Sequence, residues 1–143
     1  MGKSTSFDNS LLALIFNNTT IANLAQNASG GTANLYVSLH TADPTGGNQN
    51  TSEAAYSGYA RVSVARTSAG WTVANNTVVN ANAVTFPACN GANNANVTNV
   101  AIGENASGTA GQIYYTGPLS GALNISNGIT PAFNNNQLQV TES

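Results

Sequence analysis

The sequence predicts a mainly β fold, an antiparallel β-sandwich, jelly-roll-like as the best single match, with a short N-terminal amphipathic helix. The strand count alone leaves an immunoglobulin-like or other Greek-key arrangement open. From residue 34 onward, apolar residues recur with period two in roughly eight to ten short runs divided by Gly, Asn and Pro turns. No helical period separates those runs, so crossover helices, and with them a parallel sheet, are not expected. Before residue 34 the period is helical instead.

The helical head comes first. Phe7, Leu11, Leu14 and Ile15 share one face at i, i+4, i+7 and i+8. Ser6 reads as the N-cap, and Asp8 in the first turn suits the positive end of the helix dipole. Asn17, Asn18, Thr19 and Thr20 weaken or stop the helix. Ile21 and Leu24 suggest another helical turn or two before Gly30-Gly31 ends the head. The expected division is a helical arm over 1–33 and a β-sandwich body over 34–143.

In the body, Leu35, Val37 and Leu39 alternate with Tyr36, Ser38 and His40, the pattern of a half-buried strand. Asp43-Pro44-Thr45-Gly46-Gly47 is turn chemistry, and a polar loop continues to about Ser57. Residues 59–67 alternate again, with Ala60, Val62 and Val64 opposed to Tyr59, Arg61 and Ser63. Shorter strands are expected at 71–73, 78–79 and 83–86, and a loop at 91–96. Further strands follow at 97–102, 112–116, 119–125, 129–133 and 138–141. No internal repeat marks a fibrous shaft or β-helix.

Composition narrows the function. Only 6% of residues are charged, against about 25% in ordinary globular chains, while 41% are apolar. Asn, Thr, Ser and Gly therefore supply the polarity, and a neutral polar surface lets many copies pack without long-range repulsion. Three cations, Lys3, Arg61 and Arg66, are too few for a phosphate-tracking groove, so no nucleic-acid partner is expected. The longest strongly apolar run, residues 11–16, is far shorter than the ~20 needed to span a bilayer, so no membrane partner is expected. No stretch reads as a secretory signal, and the mature chain is expected to begin near Met1.

Catalytic chemistry finds little to work with. Of five carboxylates, only Glu53 and Glu104 lie where a glycosidase-type pair could form, and both sit in loops expected to be solvated. The single histidine, His40, precedes the Asp43-Pro44 turn, but no Gly-x-Ser-x-Gly elbow supplies a nucleophile. It reads as a residue that hydrogen-bonds the following loop. Cys89, the single cysteine, excludes an intramolecular disulfide and reads as a small, partly buried residue. No enzyme activity, cofactor or metal is expected.

The segment Asn34-Leu35-Tyr36-Val37-Ser38-Leu39-His40-Thr41-Ala42-Asp43-Pro44 resembles a family of small tailed-bacteriophage structural proteins. So do Thr51-Ser52-Glu53-Ala54-Ala55-Tyr56, Gly58-Tyr59-Ala60-Arg61-Val62-Ser63-Val64 and Ala83-Val84-Thr85-Phe86-Pro87. Tyr114-Tyr115-Thr116-Gly117 with Leu119, and 126–133, extend the likeness over nearly the whole chain. Members of this family are often labelled tail-fibre proteins and resemble capsid cement or decoration proteins. The resemblance implies a virion protein that, in the reading favoured here, sits on the capsid and stabilises the major capsid protein shell as a homo-oligomer, dimer or trimer. The alternative is a tail or tail-fibre-associated subunit, and a glycan-degrading tail enzyme is a third class. Phe7, Leu11 and Ile15 of the head, with Asp43, Pro44, Glu53 and Tyr56 of the long loop, are the expected protein-interface residues.

Overall fold

The structure, a computed structural model, describes residues 3–21, 32–108 and 111–143. One helix, α1 (Thr5–Asn17), precedes nine strands among these residues. They are β1 (Asn34–His40), β2 (Val62–Ala65), β3 (Trp71–Ala74), β4 (Thr77–Asn80) and β5 (Val84–Thr85), then β6 (Ala95–Gly103), β7 (Ile113–Ile125), β8 (Ala132–Phe133) and β9 (Gln139–Thr141). The fold is mainly β with antiparallel sheets and one short N-terminal helix, as the two periodicities predict. A jelly-roll winding is compatible with these strands.

The chain divides into two compact units, one of Met1–Asn34, Ala65–Ala83 and Phe133–Ser143, the other of Leu35–Val64 and Val84–Ala132. The described part of the expected 1–33 arm thus shares a unit with two later segments.

In the first unit α1 lies against β3 and β4 of the sheet β3-β4-β9. Ser4, not Ser6, is the N-cap: its backbone is extended and its side chain accepts from Phe7 N at 3.3 Å. Ser6 falls inside the first turn, where its carbonyl accepts from Ser10 Oγ. At the other end Asn18 turns left-handed at φ 53°, and Thr19 N donates to Ala13 O, so the helix stops where the Asn-Thr run predicts. The last turn has no basic residue of its own. Arg66 supplies one from the following strand region, its guanidinium donating to the carbonyls of Leu14 and Ile15.

The buried stripe of α1 is Asp8, Leu12 and Phe16. Leu12 and Phe16 are fully buried, and Phe16 meets Trp71 edge-on with ring centroids 4.8 Å apart. The stripe is rotated by one residue from the expected Phe7–Leu11–Ile15 line, which lies half-buried beside it. Both lines have i, i+4, i+8 spacing, so periodicity alone does not choose between them; packing on β3 and β4 does. The further helical turns expected near Leu24, and the Gly30-Gly31 stop, lie outside the described residues.

The second unit holds a four-stranded sheet in the order β2-β1-β6-β7. In the β1–β6 ladder Tyr36 faces Gly103 and His40 faces Asn99. β1 is an inner strand, and from Val37 to His40 every residue is buried. That corrects the half-buried expectation: Ser38 and His40 are as enclosed as Leu39, because both faces of this strand end are covered. β6 begins at Ala95, inside the segment expected to be a loop. The two strands expected at 112–116 and 119–125 are one, β7, broken by a bulge. Pairing jumps from Leu123 opposite Val97 to Pro118 opposite Asn99, so the register shifts across 119–122.

Candidate functional site

The polar loop after β1 folds back on the end of its own strand. Thr41 N donates to Ser52 O and Ala54 N to Leu39 O, both at 2.8 Å, and His40 bridges antiparallel to Glu53. Between these backbone bonds the His40 ring, which is 0% exposed, spans from its own strand to the loop. Its Nδ1 lies 2.8 Å from Thr51 O and its Nε2 2.9 Å from Ser38 Oγ. A carbonyl can only accept, so Nδ1 carries the proton and Nε2 accepts from the Ser38 hydroxyl. Burial holds His40 below its ordinary pKa, an effect that Arg61 reinforces and that the Thr51 bond and the Glu53 charge oppose. The loop-holding role expected of this histidine is the one it has.

Beside it lies an ion-pair cluster that the sequence reading does not anticipate. Glu53 receives three bonds: Arg61 Nε at 2.7 Å, Arg61 Nη2 at 2.8 Å and Tyr59 Oη at 2.8 Å. Arg61 also donates to Asn105 O at 2.9 Å and Asn50 Oδ1 at 2.7 Å. The side chains of Arg61 and Glu53 are 3% and 16% exposed, so the expected solvated loop carboxylate is instead an enclosed, bidentate partner. The bond to Glu53 raises the Arg61 pKa. Tyr59 Oη accepts from Leu39 N while it donates to Glu53, and burial drives its pKa well above the ordinary value. Gln49, fully buried, braces the same cluster: its Oε1 accepts from Asn105 N at 2.8 Å. A Cβ at Gly103 would stand 2.4 Å from Gln49 Cδ, so only glycine leaves room for that side chain.

The other expected interface residues divide between surface and interior. Asp43 is exposed, and its carboxylate accepts from Thr45 N and Thr45 Oγ1 at 2.9 and 2.7 Å, a local turn that lowers its pKa. Pro44 is buried. Tyr56 is 2% exposed, donates to Pro87 O at 2.9 Å, and is pushed up to about 12 by burial. Phe7, Leu11 and Ile15 are half-buried on α1. The structure thus brings Glu53 and Tyr56 into the interior of the second unit and keeps Asp43 at the surface, while the three helix residues belong to the first unit.

The groups that could carry chemistry are engaged within the chain. Ser38 and His40 form a hydroxyl–imidazole pair, but both are 0% exposed, and a carbonyl stands where a nucleophilic triad has a carboxylate. Glu104 accepts from Gln112 N and Tyr114 Oη, while Glu53 is saturated by Arg61 and Tyr59. Cys89 is 1% exposed, with Gly91 O and Asn93 O as its sulfur's partners. Among the described residues, no group of three or more His, Cys, Asp or Glu side chains is placed to hold a metal ion. No described helix is long and apolar enough to cross a membrane.

Residues 2–141 match the family described as Podophage GP4 fiber I protein gp80. The chain belongs to that family. It is therefore a structural protein of a tailed bacteriophage, as its resemblance implies. The family's description names a fibre and not a capsid, so the favoured capsid-cement expectation gains no support and the tail-associated alternative fits better. No curated protein matches the chain.

Proposed function

We propose that the chain is a fibre-associated structural subunit of a podophage tail, which acts through packing against virion neighbours and not through catalysis. The match to a fibre protein family over residues 2–141 carries this reading. The disposition of charge supports it. Arg61 is engaged by Glu53, Arg66 by the carbonyls ending α1, and Lys3 by Glu142 at 3.0 Å and Asp8 at 3.8 Å. Asp43 is used by its own turn.

What remains for neighbours is a surface of little unpaired charge, on which Tyr114 and Ile129 are exposed large hydrophobic side chains, and identical copies suffer little repulsion from it. Contacts on such a surface are short-range and gain strength from repetition in the assembled particle. A homo-oligomer is the expected form, since closed symmetry dominates assemblies of identical chains.

Quantitative mass spectrometry of purified virions, with tails and heads analysed separately, tests the reading. A small fixed copy number in the tail fraction is expected. Copies in proportion to the major capsid protein, in the head fraction, would overturn it and restore the cement role.

A further inference from the structure

We propose that His40 is an acid-sensitive latch that ties residues 51–54 to the end of β1 and lets them go while the β1–β6 ladder stays closed. The ring is one of the side-chain links at this point, beside Thr41 Oγ1, which donates to Ser52 O at 3.1 Å, and the Glu53 carboxylate held by Arg61. Its Nδ1–H holds Thr51 O at 2.8 Å, one residue before the Thr41–Ser52 backbone bond and three before the Ala54–Leu39 bond that seat the loop.

Protonation places a hydrogen on Nε2, where the Ser38 hydroxyl now donates at 2.9 Å. Ser38 Oγ must then rotate to accept, and its own hydrogen needs a new acceptor in a place with no solvent, since both residues are 0% exposed. The charges facing the ring do not rescue the cation. From the loop, Glu53 favours it, but that carboxylate already receives two bonds from Arg61 and one from Tyr59, and the Arg61 guanidinium itself opposes a second positive charge. From the neighbouring strand β6, the residue opposite is the neutral Asn99. The lowered pKa of His40 agrees with this picture.

The neutral ring is favoured in the closed state, so closure is fully supported above the ordinary histidine value of ~6.5 and weakens as pH falls below it. Opening that takes up one proton grows about tenfold per pH unit between the open-state and closed-state pKa values.

His40 is the one histidine in the chain, so its proton NMR titration needs no assignment by mutation. The test follows that titration on the full chain from pH 7.5 to 4. Amide hydrogen exchange is measured over the same range and expressed as protection factors, which removes the intrinsic pH dependence of exchange. The expected result is a midpoint below ~6.5 and a fall in protection at Thr41 and Ala54 over the same interval, with the β1–β6 ladder still protected. The replacement His40→Gln removes the titration and should leave Thr41 and Ala54 with pH-independent protection; should that variant fail to fold, the wild-type data decide alone. Constant protection at Thr41 and Ala54 through the His40 midpoint would overturn the proposal. So would simultaneous loss across β6, which would mean global unfolding instead of a latch.

Discussion

Replacing Glu53 with alanine tests whether the loop after β1 is held by an internal ion pair. The change removes three bonds at once, from Arg61 Nε, Arg61 Nη2 and Tyr59 Oη, at 2.7, 2.8 and 2.8 Å. It leaves a guanidinium whose side chain is 3% exposed without its counter-charge. Deleting one partner of a fully buried pair costs about 3–5 kcal/mol. Two features reduce that here: Glu53 retains 16% exposure, and Arg61 keeps Asn105 O and Asn50 Oδ1 as acceptors. The expected loss is therefore about 2–4 kcal/mol, a large share of the roughly 5–15 kcal/mol of a natural domain. All five tyrosines (36, 56, 59, 114 and 115) lie in the second unit and Trp71 lies in the first. Urea denaturation followed by near-ultraviolet tyrosine dichroism therefore reads the affected unit directly. The variant Glu53→Ala/Arg61→Ala completes a double-mutant cycle, with a coupling of at least about 1.5 kcal/mol expected. A single-mutant loss under about 0.5 kcal/mol with no coupling is the behaviour of an exposed pair and would refute the enclosed-network argument.

Three other perturbations address the rest of the fold. Phe16→Ala deletes a fully buried ring set edge-on against Trp71 and should cost about 3–5 kcal/mol, with a changed Trp71 emission in the folded protein. Arg66→Ala removes the guanidinium that serves the carbonyls of Leu14 and Ile15; a loss of about 1.5–3 kcal/mol and reduced far-ultraviolet helical signal are expected, while unchanged helicity would count against the tertiary cap. In an alkaline ultraviolet titration Tyr56 should ionise near pH 12 and Tyr59 later still. Because both hydroxyls have folded pKa values above the unfolded ~10, their stability contribution is complete below pH ~10 and disappears as pH rises beyond it; two tyrosines titrating late is the expected record.

Period and punctuation made most elements legible. The strand at 35–39, the Asn-Thr stop after α1 and the turn at Asp43-Pro44 each have a local physical cause, and each appears where that cause puts it. Structure departs from the local pattern where a tertiary partner overrides it. Residues 59–61 alternate like a strand, yet β2 begins only at Val62, because Tyr59 and Arg61 turn toward Glu53. The two strands expected at 112–116 and 119–125 run on through Gly117 and Pro118, which pair with Val100 and Asn99 in an edge strand. On α1 the buried stripe includes Asp8, a residue that hydropathy places outside. Lys3, with its ammonium 3.8 Å from that carboxylate, accounts for part of the difference.

The same logic explains why the low charge was easy to see and its use was not. Six percent charge is a property of the composition, but an ion pair is a property of the topology: Lys3 meets Glu142 from the opposite end of the chain, and Arg66 reaches Ile15 across 51 positions. No spacing rule connects such residues, so a carboxylate in an Asn-rich loop looks solvated until the fold supplies its cation. Once these partners are known, the low charge has a stricter meaning than composition gives it. The cations are engaged within the chain, and the outer surface carries still less free charge than the 6% suggests. Long-range attraction then contributes little to assembly, and specificity must reside in shape and in hydrogen bonds made at contact. A subunit of this kind should stay bound in its particle as salt is raised, because screening has few exposed charges on which to act.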